Sequence, residues 1–221
     1  TIDKIADELE RNLNIDSFKF ISLCKDFNFI HSLDIAAPSI EGFLFPDTYI
    51  FMSSYTEEQI IKIMVNQFFH IYKKHIDSIA KDKKLSILKV VTMASIIQGE
   101  AMHDEEMPLI ASVYYNRLKK GMLLQADPTI QYIIPGKNRR LYHKDLKIDN
   151  PYNTYKYKGL TPGPINNPGL AALLASVNPA NSGYLFFVAD GEGRHIFTKT
   201  NKDHNKAKKK LNKKRKEYNK K

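Results

Sequence analysis

One cysteine, Cys24, among 221 residues excludes an intramolecular disulfide and any cysteine-rich metal site. The count leaves the redox compartment open, because an extracytoplasmic protein that uses no disulfides has the same count. No apolar run approaches the roughly 20 residues that a bilayer-spanning helix needs. The chain starts at Thr1 rather than Met, and it reads as a fragment from which a targeting segment has been removed. Several chemistries lack their signatures. There is no G-x-x-x-x-G-K-[ST] phosphate loop, no G-x-S-x-G elbow, no G-x-G-x-x-G turn and no H-E-x-x-H zinc pair. Gly191-Glu192-Gly193 lies between two strand candidates, the wrong context for a dinucleotide. His70 and His75 are five residues apart and face different sides of a helix. Neither a metal nor a cofactor is expected.

The composition that remains, 43% apolar and 26% charged, is that of a globular chain, long enough for one ordinary domain and a small partner module. The formal net charge is +10. From Lys199 to Lys221 there are 12 Lys and Arg against Asp203 and Glu217, so the tail holds the whole excess and the body is neutral. The run Lys206–Lys216 is nearly all lysine, with no aromatic side chain interleaved to stack on a base. It reads as a solvated terminal helix or frayed end, with a weak attraction to anionic polymer or lipid headgroups as second choice. Nucleic acid is not an expected partner.

Helical spacing governs the first 35 residues. Ile2, Ile5, Ala6, Leu9 and Leu13 mark one helix, and Phe18, Ile21, Leu23 and Phe27 a second after the Asp16-Ser17 cap. After Pro38, the segment from Glu41 to Phe51 is aromatic enough for a short strand, limited to an edge or bend by Pro46. Thr56-Glu57-Glu58-Gln59 opens a long helix. From Ser86 to Ile97 almost no polar face remains, so that helix should be buried nearly all round. Another, from about Glu106 to Lys120, ends on Gly121. Residues 121–168 read as a long irregular stretch rich in Pro, Gly, Asn and Tyr. A small-residue helix over 168–177 and a hairpin, Tyr184–Ala189 with His195–Thr198, close the pattern.

Glu100 stands out, because it follows the helix with no polar face. Burial and the negative end of the helix would both raise its pKa, desolvation alone doing so if the helix runs on through Gly99. A carboxyl group kept neutral near pH 6–7 can give a proton to a leaving oxygen. A solvated or salt-bridged glutamate just past a helix end is the plainer alternative. The following loop carries Gln125, Asp127 and Thr129, then Asn153 and Tyr155, and Gly159 to Pro164. Tyrosine faces and amide side chains suit sugars, although Asn-Thr and Pro-Gly pairs also build turns.

Eight short motifs then occur in order: EGFLFPDTY from Glu41, ASIIQGEA from Ala94, Asn116-Arg117-Leu118, LQADPT from Leu124, YNTY from Tyr152, GLTPG from Gly159, FVADG from Phe187 and His204-Asn205. Together they resemble the YceG-like endolytic murein transglycosylases over nearly the whole chain. The resemblance implies an α+β fold, with residues 1–52 the later part of a LysM-like module closed by the EGFLFPDTY strand. Residues 53–221 would form a mostly helical catalytic domain with a small antiparallel sheet and a basic tail. It implies a bacterial inner-membrane protein, anchored by an amino-terminal helix lying outside this chain and facing the peptidoglycan. Glycan strands would be its substrate and peptidoglycan synthases its expected partners. The family's catalytic glutamate falls on Glu100. Gln125, Asn153 and Tyr155 are the first choices for holding the sugar and its N-acetyl groups, with Asp127, Thr129 and Asn116 next. Two features depart from the family: Gln98 stands where a glutamate is common, and the lysine-rich tail exceeds the family's usual end.

A lytic transglycosylase needs one carboxyl group, because its nucleophile is the C6 hydroxyl of the MurNAc sugar itself and the product is a 1,6-anhydro end. A two-carboxylate hydrolase using Glu100 with Asp127 is the first alternative. A peptidoglycan-binding module without catalysis is the second.

Overall fold

The computed structural model describes residues 1–13, 15–136 and 138–218, and side chains only as far as Lys213. The end of the basic tail, residues 219–221 and the side chains of 214–218, lies outside the described residues.

Packing is organised around the helix that the sequence marks as lacking a polar face. This is α6, Ile87–Glu100, started by Ser86, whose hydroxyl accepts from Lys89 N, and buried without interruption from Val90 to Ile97. It runs through Gly99, so Glu100 is its last helical residue. Against α6 lie α9, Leu170–Val177, and α7, Met107–Lys119. Both are short and rich in small or apolar residues, which lets three helices approach closely. Helix α7 follows a 3-10 turn at Asp104–Glu106 and ends at Gly121, whose φ of +63° is the left-handed cap that glycine takes without strain.

The amino-terminal part forms three helices where two are expected. They are α1, Ile2–Asn12, α2, Ser17–Leu23, and α3, Phe27–Ser32. Asp16 and Asp26 each cap the helix that follows, accepting from Lys19 N and Phe29 N. The break near Cys24 changes the helical phase, so Phe20, Cys24 and Ile30 are buried, whereas Phe18 and Phe27 are 84% and 76% exposed. The expected apolar face through Phe18 and Phe27 therefore does not form.

The expected strand at 41–51 is absent as well. The segment opens with a turn at Glu41 and Gly42 and a bend at Leu44 and has no regular structure beyond, with Phe43, Leu44 and Phe45 buried, and among the described residues no strand pairs with it. Its donors go elsewhere: Gly42 N and Leu44 N both donate to Asn167 Oδ1, at 2.8 and 2.9 Å. Gly42 adopts φ +92°, and a Cβ there would stand 2.6 Å from Pro164 and 2.7 Å from Val91.

Helix α4, Glu57–His75, opens with a capping box between Thr56 and Gln59, and α5, Asp77–Asp82, follows directly. The stretch 121–168, expected to be irregular, contains α8, Asp127–Ile133, with Pro128 in its first turn. Near the end, β1, Phe186–Ala189, pairs antiparallel with β2, His195–Thr198, in the register Phe186 to Thr198 and Ala189 to His195. The last helix, α10, Asn201–Tyr218, lies on this hairpin. His204 stacks on Phe186 at 5.3 Å and Leu211 is buried, while lysines 202, 206, 208, 209, 210 and 213 are exposed. One apolar core extends from Ile2 to Val177 and crosses position 52 unbroken. Among the described residues, no helix is long and apolar enough to cross a membrane.

Candidate active site

A groove of about 750 Å³ opens at the carboxyl end of α6. Gly99 and Glu100 line it together with Asp127, Pro128, Gln131 and Tyr132 of α8, the turn 133–136, Ile165 and Asn166. Thr1, Asp3, Lys4 and Asp7 of the α1 region line it too. A smaller hollow of about 400 Å³ between α4, α5 and α6 contains one acid, Asp77, already paired with Lys81 at 2.6 Å.

Glu100 is half-buried in the groove, and Tyr114 Oη, from the interior of α7, donates to its Oε1 at 2.6 Å. Burial pushes the Glu100 carboxyl up to about 7; the Tyr114 hydrogen bond opposes this, the charge of Asp127 adds to it, and Arg117 pulls weakly the other way. Desolvation is thus the largest cause, as expected for a glutamate at the end of a helix that is buried nearly all round. The Tyr114 hydroxyl is itself held well above its ordinary range by burial and by Glu100, so it remains a donor. With Oε1 occupied as an acceptor, Oε2 is the oxygen left to carry the acidic proton.

Asp127 is exposed in the same groove and accepts a hydrogen bond from Tyr155 Oη. The close approach of α6 and α8 behind these two acids depends on Gly99. A Cβ there would stand 2.6 Å from Pro128 Cβ and 2.9 Å from its Cγ, and a proline ring at a helix start cannot swing aside. Gly99→Ala is expected to cost about 1–3 kcal/mol in overpacking and to lower turnover far more than substrate affinity. Urea unfolding and a kcat-against-KM comparison check both parts.

The remaining residues singled out in the sequence divide into two groups. Glu100, Asp127 and Tyr155 are brought together. Asn153 is fully buried; its Nδ2 donates to the carbonyls of Leu146 and Ile148, and its Oδ1 accepts from Tyr155 N. Every polar atom of that side chain is bonded within the loop, which it shapes. Thr129 is likewise buried, bonded to Ala126 O and the Thr154 hydroxyl. Asn116 Nδ2 donates to the carbonyls of Ser182 and Tyr184 and secures the approach to β1. Gln125 is exposed with φ +51°, and its backbone N–H donates to Thr154 O. Its Oε1 lies 3.5 Å from Arg117 Nη1, at the edge of hydrogen-bond reach. Arg117 is the clamp behind all of this: Nη1 donates to Leu124 O, Nε donates to Leu185 O, and the guanidinium lies over the Phe186 ring. Gln98 Oε1 accepts from Gly169 N and so ties α6 to the start of α9.

Tyr114 and Asn166 were not singled out in the sequence. Tyr114 lies one helical turn before Arg117 of the Asn116-Arg117-Leu118 motif, and that i,i+3 relation is the signal that could have found it. The hairpin supports it from behind, with the Phe187 ring edge-on to Tyr114 at 5.9 Å. His195 at the start of β2 is held by Glu106, through its N–H and its Nδ1, each at 2.9 Å.

Comparison with known proteins shows the family. The chain is 44% identical over 218 residues to a Bacillus subtilis protein named endolytic murein transglycosylase, covering 93% of this chain and 60% of that protein. It is 38% identical over 173 residues to a Streptococcus pneumoniae protein of the same name, covering 76% of this chain and 31% of that one. The chain therefore spans well under two thirds of the length of these relatives. A crystal structure of a yceG-like protein from Listeria monocytogenes superposes with a TM-score of 0.87 at 37% identity, covering 93% of this chain and 72% of that one. The family model described as YceG-like matches residues 1–210, and with a half-buried helix-end glutamate at the head of a groove between two motif-bearing segments, this chain belongs to the YceG-like family.

Proposed function

We propose that this chain is the part of an endolytic murein transglycosylase that cuts glycan strands between MurNAc and GlcNAc and leaves a 1,6-anhydroMurNAc end. The observation that carries this reading is the Glu100 carboxyl, held near neutrality by burial, bonded to Tyr114 and lining an open groove. The names of the Bacillus and Streptococcus relatives support it. Glu100 first gives its Oε2 proton to the glycosidic oxygen as the C1–O bond breaks. The MurNAc C6 hydroxyl then attacks C1, and the carboxylate takes the hydroxyl proton, which restores the acid. No water is consumed, so a largely desolvated acid suffices. Tyr114 keeps a hydrogen bond on the carboxylate between the two transfers and stabilises the charge that develops there. In the same reading, residues 1–52 are the later part of a LysM-like module whose α1 helps to line the groove. The work is done on strands outside the inner membrane, beside the synthases that make them.

Strands incubated with the protein are expected to yield anhydro ends. Mass spectrometry distinguishes these from reducing ends, which are heavier by one water. Reducing ends as the sole product would transfer the assignment to hydrolysis. One observation favours that second reading: Asp127 shares the groove with Glu100 and is near enough to raise its pKa. Asp127→Asn separates the two, because a hydrolase loses its activity with that change whereas the transglycosylase keeps most of it.

A further inference from the structure

Asn166 belongs to the groove wall beside Gly99 and Glu100. Its place is fixed by α6: Ile165 N donates to Ser95 Oγ at 3.0 Å, and Asn166 Nδ2 donates to the Ser95 carbonyl at 2.7 Å. A backbone carbonyl can only accept, so the amide end that faces it is the NH2 group, and this settles which end of the side chain is oxygen. That oxygen, Oδ1, is enclosed and meets no donor among the described residues. Its sequence neighbour makes the contrast plain, because Asn167 uses Oδ1 on Gly42 N and Leu44 N and Nδ2 on Glu41. A buried carbonyl oxygen left unpaired costs free energy, and native structures rarely leave one without a purpose.

The surroundings restrict what could serve as the donor. Pro128, Ile134 and Ile165 line the same groove. Either a sugar hydroxyl or an acetamido N–H could donate to it, and each brings an oxygen that needs partners of its own. Only the acetamido group also brings a methyl group, which matches the apolar side chains of Pro128, Ile134 and Ile165. The Nδ2 bond to Ser95 anchors the amide, and small rotations of the groove-lining side chains around it, of the kind common at binding surfaces, open Oδ1 to a ligand.

We propose that Asn166 is a specificity residue, its Oδ1 accepting the N–H of a 2-acetamido group on the sugar chain while Pro128, Ile134 and Ile165 receive the methyl group. This rests on the reading of the groove as a glycan site and adds the residue that selects N-acetylated sugar over a plain hexose.

Binding of chitotetraose and cellotetraose, which differ in having acetamido or hydroxyl groups at C2, tests it on the full chain by calorimetry. Asn166→Ala is expected to weaken chitotetraose by about tenfold and to leave the weak cellotetraose affinity unchanged. Both ligands are measured on the same variant, so a partly unfolded sample lowers both alike, and an equal loss overturns the inference. In the unaltered protein, the Asn166 side-chain carbonyl carbon resonance should shift on addition of chitotetraose and not of cellotetraose; no shift also overturns it. Tight chitotetraose binding to both proteins removes this inference alone. Failure of the unaltered protein to bind chitotetraose removes the glycan reading of the groove, and this inference with it.

Discussion

Glu100→Gln is expected to lower strand cleavage by about 10³- to 10⁴-fold, the upper range for loss of one acid–base group, because in the proposed reaction the same carboxyl serves both proton transfers. The amide keeps the size of the side chain and an acceptor for Tyr114, so binding of chitooligosaccharides should change little. In the unaltered protein, activity should fall as pH rises through about 7, where Glu100 loses the proton that the proposed first step requires. Stability moves with the same titration. The folded pKa lies above the ordinary value of about 4.3, so between these two pH values the folded chain holds more protons than the unfolded one. Stability therefore declines as pH rises across that window, by up to about 3 kcal/mol, and levels off above 7. Glutamine has no such titration. At pH 8 the variant should be more stable than the unaltered protein by up to that amount, and near pH 4 the two should be alike. Urea unfolding at both pH values gives the comparison. A variant that cleaves at the normal rate, or whose stability advantage is the same at both pH values, would contradict the role assigned to Glu100.

Asn167→Asp should produce the other large effect, without touching the groove chemistry. Asn167 joins the turn at 41–44 to the segment before α9, and its Nδ2 donates to Glu41 Oε1 at 2.8 Å. Glu41 is almost wholly buried and accepts Ile2 N on both oxygens at 3.2 and 3.1 Å, so the start of α1 depends on it as well. Burial already holds the Glu41 carboxyl above its ordinary range. Aspartate retains the acceptor for Gly42 N and Leu44 N but places an oxygen against a carboxylate. Such a pair keeps a shared proton in the folded chain to a higher pH than in the unfolded one, so stability is lost as pH rises above the ordinary carboxylate range. A loss of at least about 3 kcal/mol is expected at pH 8, and a smaller one at pH 5. Asn167→Ala removes the bonds without adding charge and should destabilise nearly equally at both. Equal losses for the aspartate variant would show that the amide contact with Glu41 is unimportant.

The sequence made the main helices legible because their signals are local. Thr56 with Gln59, the mostly apolar run before Gln98 and the Gly121 cap each act within one or two turns. Glu100 was legible for the same reason: it ends a helix with no polar face. What escaped depended on contacts between distant segments. The strand expected at 41–51 did not form because an asparagine more than a hundred residues later takes its backbone donors. Helix α8 was hidden in a stretch whose prolines and glycines resemble a loop. Asn153 and Thr129 looked like sugar ligands by residue type, and burial assigned them instead to the loop's own backbone. Tyr114 escaped because the pairing of α7 with the end of α6 is a matter of tertiary packing.

The sharing of the groove between α1 and α8 bears on how proteins of this kind can be recombined. Asp3 and Asp7 flank the same channel as Glu100, so the start of α1 is a bank of the channel and not a detachable tether. Exchanging it with that of a relative would replace one side of the cleft, and a hybrid would inherit its donor's fit along that side or lose it. The two stretches are thereby bound to drift in step.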